Sequence, residues 1–365
     1  MFFLKILILI VVLLVSLIIS LVSLPGLLQY IRGRYYTRSY QPEEISLDNI
    51  GSFPDTYRIK NIPWVSYEKI PCEAAGLEMI LNKYGMQYSI DYINFLMSFT
   101  YGATYNFFID EFFPYTEPIA DSRLAAPYLG LKMRFLTARE PDLFIRALKY
   151  YLSQGYPALV YLNGSSLYDE EGLNGHVELV VGYDQGGFYY YETGEKDRFK
   201  KEEEGLKVSN KVLLKAVAEL NQTMMKPWVY GFSIFMKEEG DKDIDRVFEQ
   251  IGKNLVGKSH KTVSQGSRAI FQFALDISNQ ENYYPVDKIE TLYYTRWENA
   301  RFLMKKFQDN LNVYKGARLL KEASHKYKEA CQLSDDFEER EKIAELLMEG
   351  AMLEREAGQV FLELN

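Results

Sequence analysis

At 365 residues, with 47% apolar and 25% charged side chains, the chain is long enough for about two globular domains and too apolar to be disordered. Its 50 acidic against 42 basic residues leave a net charge of −8, which argues against a nucleic-acid binder. Two cysteines, Cys72 and Cys331, and three histidines, His176, His260 and His325, exclude a disulfide scaffold and a thiolate zinc cluster; no metal and no cofactor is expected.

In chain order, the first element is apolar. Ile6–Leu28 is 23 residues without a charge, and about 20 are needed to cross a bilayer. Residues 1-28 therefore read as a retained transmembrane anchor with a single-pass topology; Arg32, Arg34 and Arg38 after it favour a cytoplasmic C-terminal side, whereas the short N-terminal tail before a long domain favours the extracytoplasmic placement adopted here. Residues 29-58 are polar and contain Pro42, Gly51 and Pro54, which predicts a juxtamembrane linker. Residues 59-239 mix helical and strand periods. Helices are predicted over Glu73–Tyr84, Asp91–Met97 and Asp142–Gln154, and strands over Ala158–Leu162, Val177–Tyr183, Gly187–Tyr191 and Tyr230–Met236. Asp184-Gln185-Gly186 is the turn of a hairpin. From 240 to 365 the pattern is helical: Ile244–Leu255, Ser267–Ile277, Lys288–Leu311, Val313–Leu333 and Phe337–Leu364, with no strand expected. The fold class is α+β, helices first and an antiparallel sheet after, followed by an all-α domain.

Three residues are placed where they could share chemistry. Pro71-Cys72-Glu73 opens a helix, and the free N–H groups there favour an anion such as a thiolate. The same groups can cradle the oxyanion of an attacked carbonyl. His176 precedes the strand Val177–Tyr183 and is the general base expected for Cys72. Glu192 follows the returning strand, at the end of the hairpin that lies beside His176, and would fix the imidazole tautomer. Taken singly, each has an ordinary reading: a core thiol, a satisfied histidine, a surface glutamate.

These segments resemble a known family. Pro63-Trp64-Val65-Ser66, Pro71-Cys72-Glu73 and Leu81-Asn82-Lys83-Tyr84-Gly85 look like the opening of the C39-like cysteine peptidases, which have a papain-like fold. Gly175-His176-Val177-Glu178-Leu179-Val180-Val181-Gly182-Tyr183-Asp184 is similar to that family's histidine motif. Glu192 stands where the family more often has aspartate followed by proline, and Cys72-Glu73-Ala74 replaces the usual Cys-Gly-Pro. The family's glutamine ahead of the cysteine, an oxyanion donor, has no counterpart; the matching place is Tyr67 or Glu68, and Tyr67 is the residue whose hydroxyl could donate instead. A Cys/His domain followed by a helical one, with Gly266-Ser267-Arg268-Ala269-Ile270 opening a helix, also resembles the acyltransferases of the butirosin-biosynthesis type.

The resemblance, which covers about Ile59–Met236, implies a thiol hydrolase or acyl transferase acting on a peptide or amide bond through a Cys72 thioester, and the run Ile6–Leu28 would anchor it to a membrane. The alternative is a weak or inactive peptide-binding module with a protein partner docked on the helical domain. The remaining groups read as inert: Asp110-Glu111, Asp169-Glu170-Glu171 and Lys200–Glu204 as solvated loops, His260 and His325 as surface residues, Cys331 as a buried thiol.

Overall fold

A computed structural model describes residues 40–364, apart from 68–70, 108, 195–204, 225, 241–242, 260–262, 280–285 and 335–336. The expected anchor at Ile6–Leu28, the run Lys200–Glu204, Glu68 and His260 lie outside the described residues. Among those described, no helix is long and apolar enough to cross a membrane.

The architecture is α+β with a helical C-terminal region. In chain order it comprises β1 (Glu43–Glu44), β2 (Tyr57–Arg58), α1 (Cys72–Lys83), α2 (Ile90–Met97), β3 (Thr104–Asn106), β4 (Glu111–Phe113), α3 (Pro118–Tyr128), β5 (Leu131–Ala138), α4 (Pro141–Ser153) and β6 (Ala158–Asn163). There follow the short α5 (Gly164–Leu167), β7 (Gly175–Asp184), β8 (Gly187–Tyr191), β9 (Leu206–Val208), α6 (Asn210–Thr223) and β10 (Tyr230–Lys237). The last part holds α7 (Asp245–Val256), β11 (Val263–Gln265), α8 (Ser267–Asn279), α9 (Val286–Lys306), α10 (Leu311–Leu333) and α11 (Arg340–Leu362).

The main sheet runs β1-β5-β10-β6-β7-β8-β9, with β2 paired to β7. It is mixed where an antiparallel sheet was expected, because β1 joins β5 in parallel. Both β1 and β2 come from the stretch read as a linker; two-residue strands carry too little alternation to be seen in sequence. Strand β6 is buried at every position, as suits an uninterrupted apolar run inside a sheet. Helix α1 packs on it so closely that a Cβ on Gly76 would meet Leu159 at 2.5 Å. Helix α4 packs Phe144 against Phe232 of β10, with ring centres 5.8 Å apart.

The helical region is not strand-free. β11 pairs with β3, and β3 with β4, forming a second small sheet whose strands come from both sides of residue 240. The core also crosses that point. Phe95 of α2 lies 5.4 Å from Phe248, 5.4 Å from Phe302 and 5.3 Å from Phe307. Helix α9 stops at Lys306 rather than running on to Leu311, since Asn310 caps the next helix by accepting a hydrogen bond from the Val313 amide.

Candidate active site

Pro71 is the N-cap of α1 and Cys72 its first helical residue. No side chain caps this end. The Ala74 and Ala75 amides both donate to the Pro71 carbonyl. Of the four N–H groups a helix start leaves without an intrahelical partner, those of Cys72 and Glu73 have no acceptor among the described residues. The thiol is partly buried and faces a cavity of about 430 Å³.

His176 is brought to this place by strand alternation. It sits opposite Leu162 near the start of β7, and it lines the same cavity as Cys72. The Cys72 thiol and the His176 ring are close enough to act on one another electrostatically. On the far side of the ring, Nε2 donates to Glu192 Oε1 at 2.7 Å and lies 3.4 Å from Glu178 Oε1. With Nε2 so engaged, Nδ1 is the nitrogen left for the thiol. The three residues singled out in the sequence, Cys72, His176 and Glu192, are thus brought together.

Register explains why. Tyr191 pairs with Leu179, so Glu192, one residue on, falls opposite Glu178. Residues 176 and 178 share a face of β7 because strand side chains alternate. The loop after β8 is tied down on several sides. Trp64 Nε1 donates to the Glu192 carbonyl at 2.8 Å, Thr193 Oγ1 donates to the Val177 carbonyl at 2.5 Å, and the Gly194 amide donates to Glu192 Oε1 at 2.9 Å.

Two site residues were not singled out in the sequence. Glu178 was there to be found, two residues from His176 at strand spacing. Tyr168 carried no signal; it comes from the turn after α5, and its hydroxyl donates to Glu192 Oε2 and lies 3.1 Å from Glu178 Oε1. Tyr67, the expected oxyanion donor, points elsewhere: its hydroxyl donates to Glu78 Oε2 at 2.7 Å, further along α1. The carboxylate is the stronger acceptor within its reach, so the hydroxyl is spent there.

Charge in the cluster follows from burial and pairing. Burial alone would lower the His176 pKa, but the Cys72 thiolate and Glu178 outweigh it and hold the imidazole well above its ordinary value. Burial pushes Glu178 up to about 8 in spite of His176. Burial would raise Glu192 too, yet the hydrogen bond and charge of His176, with donors from Glu178 and Tyr168, bring it down to about 2. Near neutrality the set therefore carries a neutral Glu178, an ionised Glu192 and an imidazolium. His176, Glu178 and Glu192 also offer one ligand atom each within 4.8 Å of one another, a spacing and donor set that could hold a divalent cation.

Beside the nucleophile lies Glu73, only 1% exposed. Its Oε1 accepts from Ser122 Oγ at 2.5 Å and from the Tyr161 hydroxyl at 2.7 Å, while Oε2 has no hydrogen-bond partner. Burial raises its pKa to about 7, against the pull of those two donors. The cavity wall is completed from the helical region by Val263 and Gln265 of β11 and Asp287, Glu290, Thr291 and Tyr294 of α9.

Of the groups read as inert, Asp110 accepts a hydrogen bond from the Tyr105 hydroxyl at 2.5 Å. His325 stacks on Trp297 with ring centres 5.7 Å apart. Cys331 is partly buried in the helical region, with no disulfide.

A scan against protein-family models and a search of curated proteins both returned no match.

Proposed function

We propose that the protein is a papain-like, C39-like thiol enzyme that cleaves or transfers an acyl group at a peptide or amide bond. The observation that carries this reading is the Cys72 thiol at an uncapped helix N-terminus, sharing one cavity with His176, whose Nε2 is held by buried Glu192. In this reading the thiolate attacks the substrate carbonyl carbon. The oxyanion that forms is met by the amides of Cys72 and Glu73. The imidazolium passes its Nδ1 proton to the leaving amine, and a thioester on Cys72 remains. Water or a second amine then attacks the thioester. His176 takes the proton released, and Glu192 holds the ring oriented through both halves. With the apolar segment Ile6–Leu28, the enzyme would work at a membrane surface, on its extracytoplasmic side.

A second reading, a catalytically weak peptide-binding module, draws on one observation: Tyr67 gives its hydroxyl to Glu78. The oxyanion then rests on backbone amides without a side-chain donor from that position. Loss of one such donor costs about 100- to 1000-fold in rate.

The experiment is acyl-enzyme capture. Full-length protein is incubated with p-nitrophenyl acetate, and its intact mass and peptide map are recorded. One acetyl group on Cys72, absent in C72S and strongly reduced in H176A, is the expected result. Release of p-nitrophenol without any adduct at Cys72, unchanged in C72S, would overturn the thioester mechanism.

A further inference from the structure

We propose that Glu73 is the recognition residue of this site and binds an amino group on a compact acyl substrate seated in the cavity beside Cys72. The inference rests on the thiol reading above and names its substrate class.

Cavity size sets the first limit. About 430 Å³ falls within the range of small-molecule pockets. Residues from α9 and β11 form part of its wall. Much of its lining is apolar, with Phe99, Phe113, Ile119 and Leu220 among the contributors. An acyl chain or ring of modest size would be buried there.

The polar part of the lining has a sign. Among the described residues that line the cavity, Glu73, Glu117, Asp287 and Glu290 stand against Lys226 and the His176 imidazole. That lysine is already committed: its Nζ donates to Glu117 Oε1 at 2.8 Å and to the Tyr40 hydroxyl at 2.7 Å. A cavity with this balance favours a cation over an anion.

Glu73 carries the carboxyl oxygen of this lining that lacks a partner among the described residues. Its Oε1 is doubly occupied, yet Oε2 is buried and bonds to nothing among the described residues. Buried carboxyl oxygens are seldom left so. A protonated amine on the bound substrate would supply the missing donor and offset the buried charge. Glu73 and Cys72 line the same cavity, so an amine held at Glu73 shares it with the thiol that attacks the substrate carbonyl. The side chain touches the substrate without exchanging a bond, so its role is specificity.

The test uses methanethiosulfonates of different charge on the full-length protein. Each transfers its thioalkyl group to a thiolate and releases methanesulfinate. The neutral methyl reagent reads Cys72 reactivity alone. The ratio of the cationic 2-aminoethyl to the anionic 2-sulfonatoethyl reagent reads recognition. Cys331, labelled in the same tube, gives the intrinsic ratio of the two reagents. The expected result is a cation preference at Cys72 roughly tenfold above that at Cys331. E73Q should lose that preference when the cationic and anionic rates are each divided by the neutral-reagent rate measured on the same variant. A wild-type ratio no greater than at Cys331, or a preference that survives in folded E73Q, would overturn the proposal. If E73Q does not fold, the wild-type comparison of Cys72 with Cys331 decides alone. If even the neutral reagent leaves Cys72 unlabelled, the thiol reading has failed and this one falls with it.

Discussion

The charge state of the site turns on Glu178. It is buried two residues from His176 and raised to about 8, so it keeps its proton across a range where an unfolded chain has lost it. The folded state then binds more protons than the unfolded one, and stability must fall as pH rises from about 4.5 to 8. Glu73, at about 7, adds a contribution of the same sign. Glu192 is depressed to about 2, and its contribution is lost only as pH falls below about 4.5. The thermal midpoint should therefore peak near about pH 5. E178Q, which cannot ionise, should flatten the decline toward pH 8; an unchanged slope would contradict the assignment. Gly194 offers a second test at this scale. A Cβ there would lie 2.8 Å from His176 Cε1, so G194A should push the ring off its line to Cys72. Acylation of Cys72 should slow by roughly 10- to 100-fold, with the fold retained by circular dichroism. Cys72, His176 and Glu192 were legible because each stands at an element boundary readable from Pro71, Gly175 and the Asp184-Gln185-Gly186 turn. Tyr168 was not, since its hydroxyl reaches the site from a turn whose path depends on the whole fold.

At the scale of elements, α9 does two jobs. One face lines the cavity; the other inserts Arg296, fully buried, into the join between the α+β part and the helices. Its guanidinium donates to Glu354 Oε1 at 2.7 Å and to the carbonyls of Thr100 at 2.9 Å, Gly102 at 2.9 Å and Pro114 at 3.1 Å. Those carbonyls belong to the segment carrying Phe99, Thr104 and Tyr115, which line the chamber. R296M would leave Glu354 as a buried unpaired charge and free that segment. A loss of about 3–5 kcal/mol is expected in urea unfolding, and R296M/E354L should recover part of it. A loss under about 1 kcal/mol would show the pair to be incidental. Element by element, the β7–β8 hairpin and α4 could be read directly, from a turn signal and a clean apolar stripe. Helix α3 was missed because Pro127 interrupts its pattern. Helix α6 carried a usable signal that went unread: Ser209 caps it by accepting from the Val212 amide, and Leu213, Ala216 and Val217 form its buried face. Strand β11 is three residues long, and its identity as a strand comes from its partner β3 rather than from its own residues.

Over the whole molecule, a composition change near residue 240 is plain in the sequence, yet the core and the cavity cross it. Helical and strand periods report local structure; they do not report which faces meet. Phe95, Phe248, Phe302 and Phe307 meet across this boundary, and β11 completes a sheet begun by β3 and β4. The two parts should therefore unfold together. Trp64 and Trp228 lie on one side and Trp297 on the other, so tryptophan fluorescence can watch each side in variants that keep one reporter. Coincident urea transitions are expected, and transitions separated in midpoint would show independent domains.

The central claim is that His176 activates Cys72, and thiol alkylation tests it most directly. Full-length protein is titrated with iodoacetamide at pH values from about 5 to 9, and labelling of each cysteine is followed by mass spectrometry. Cys72 should be modified well ahead of Cys331 and already near about pH 6, and H176A should move its labelling to higher pH while leaving Cys331 unchanged. Equal rates at Cys72 and Cys331, or a Cys72 profile indifferent to H176A, would contradict the account.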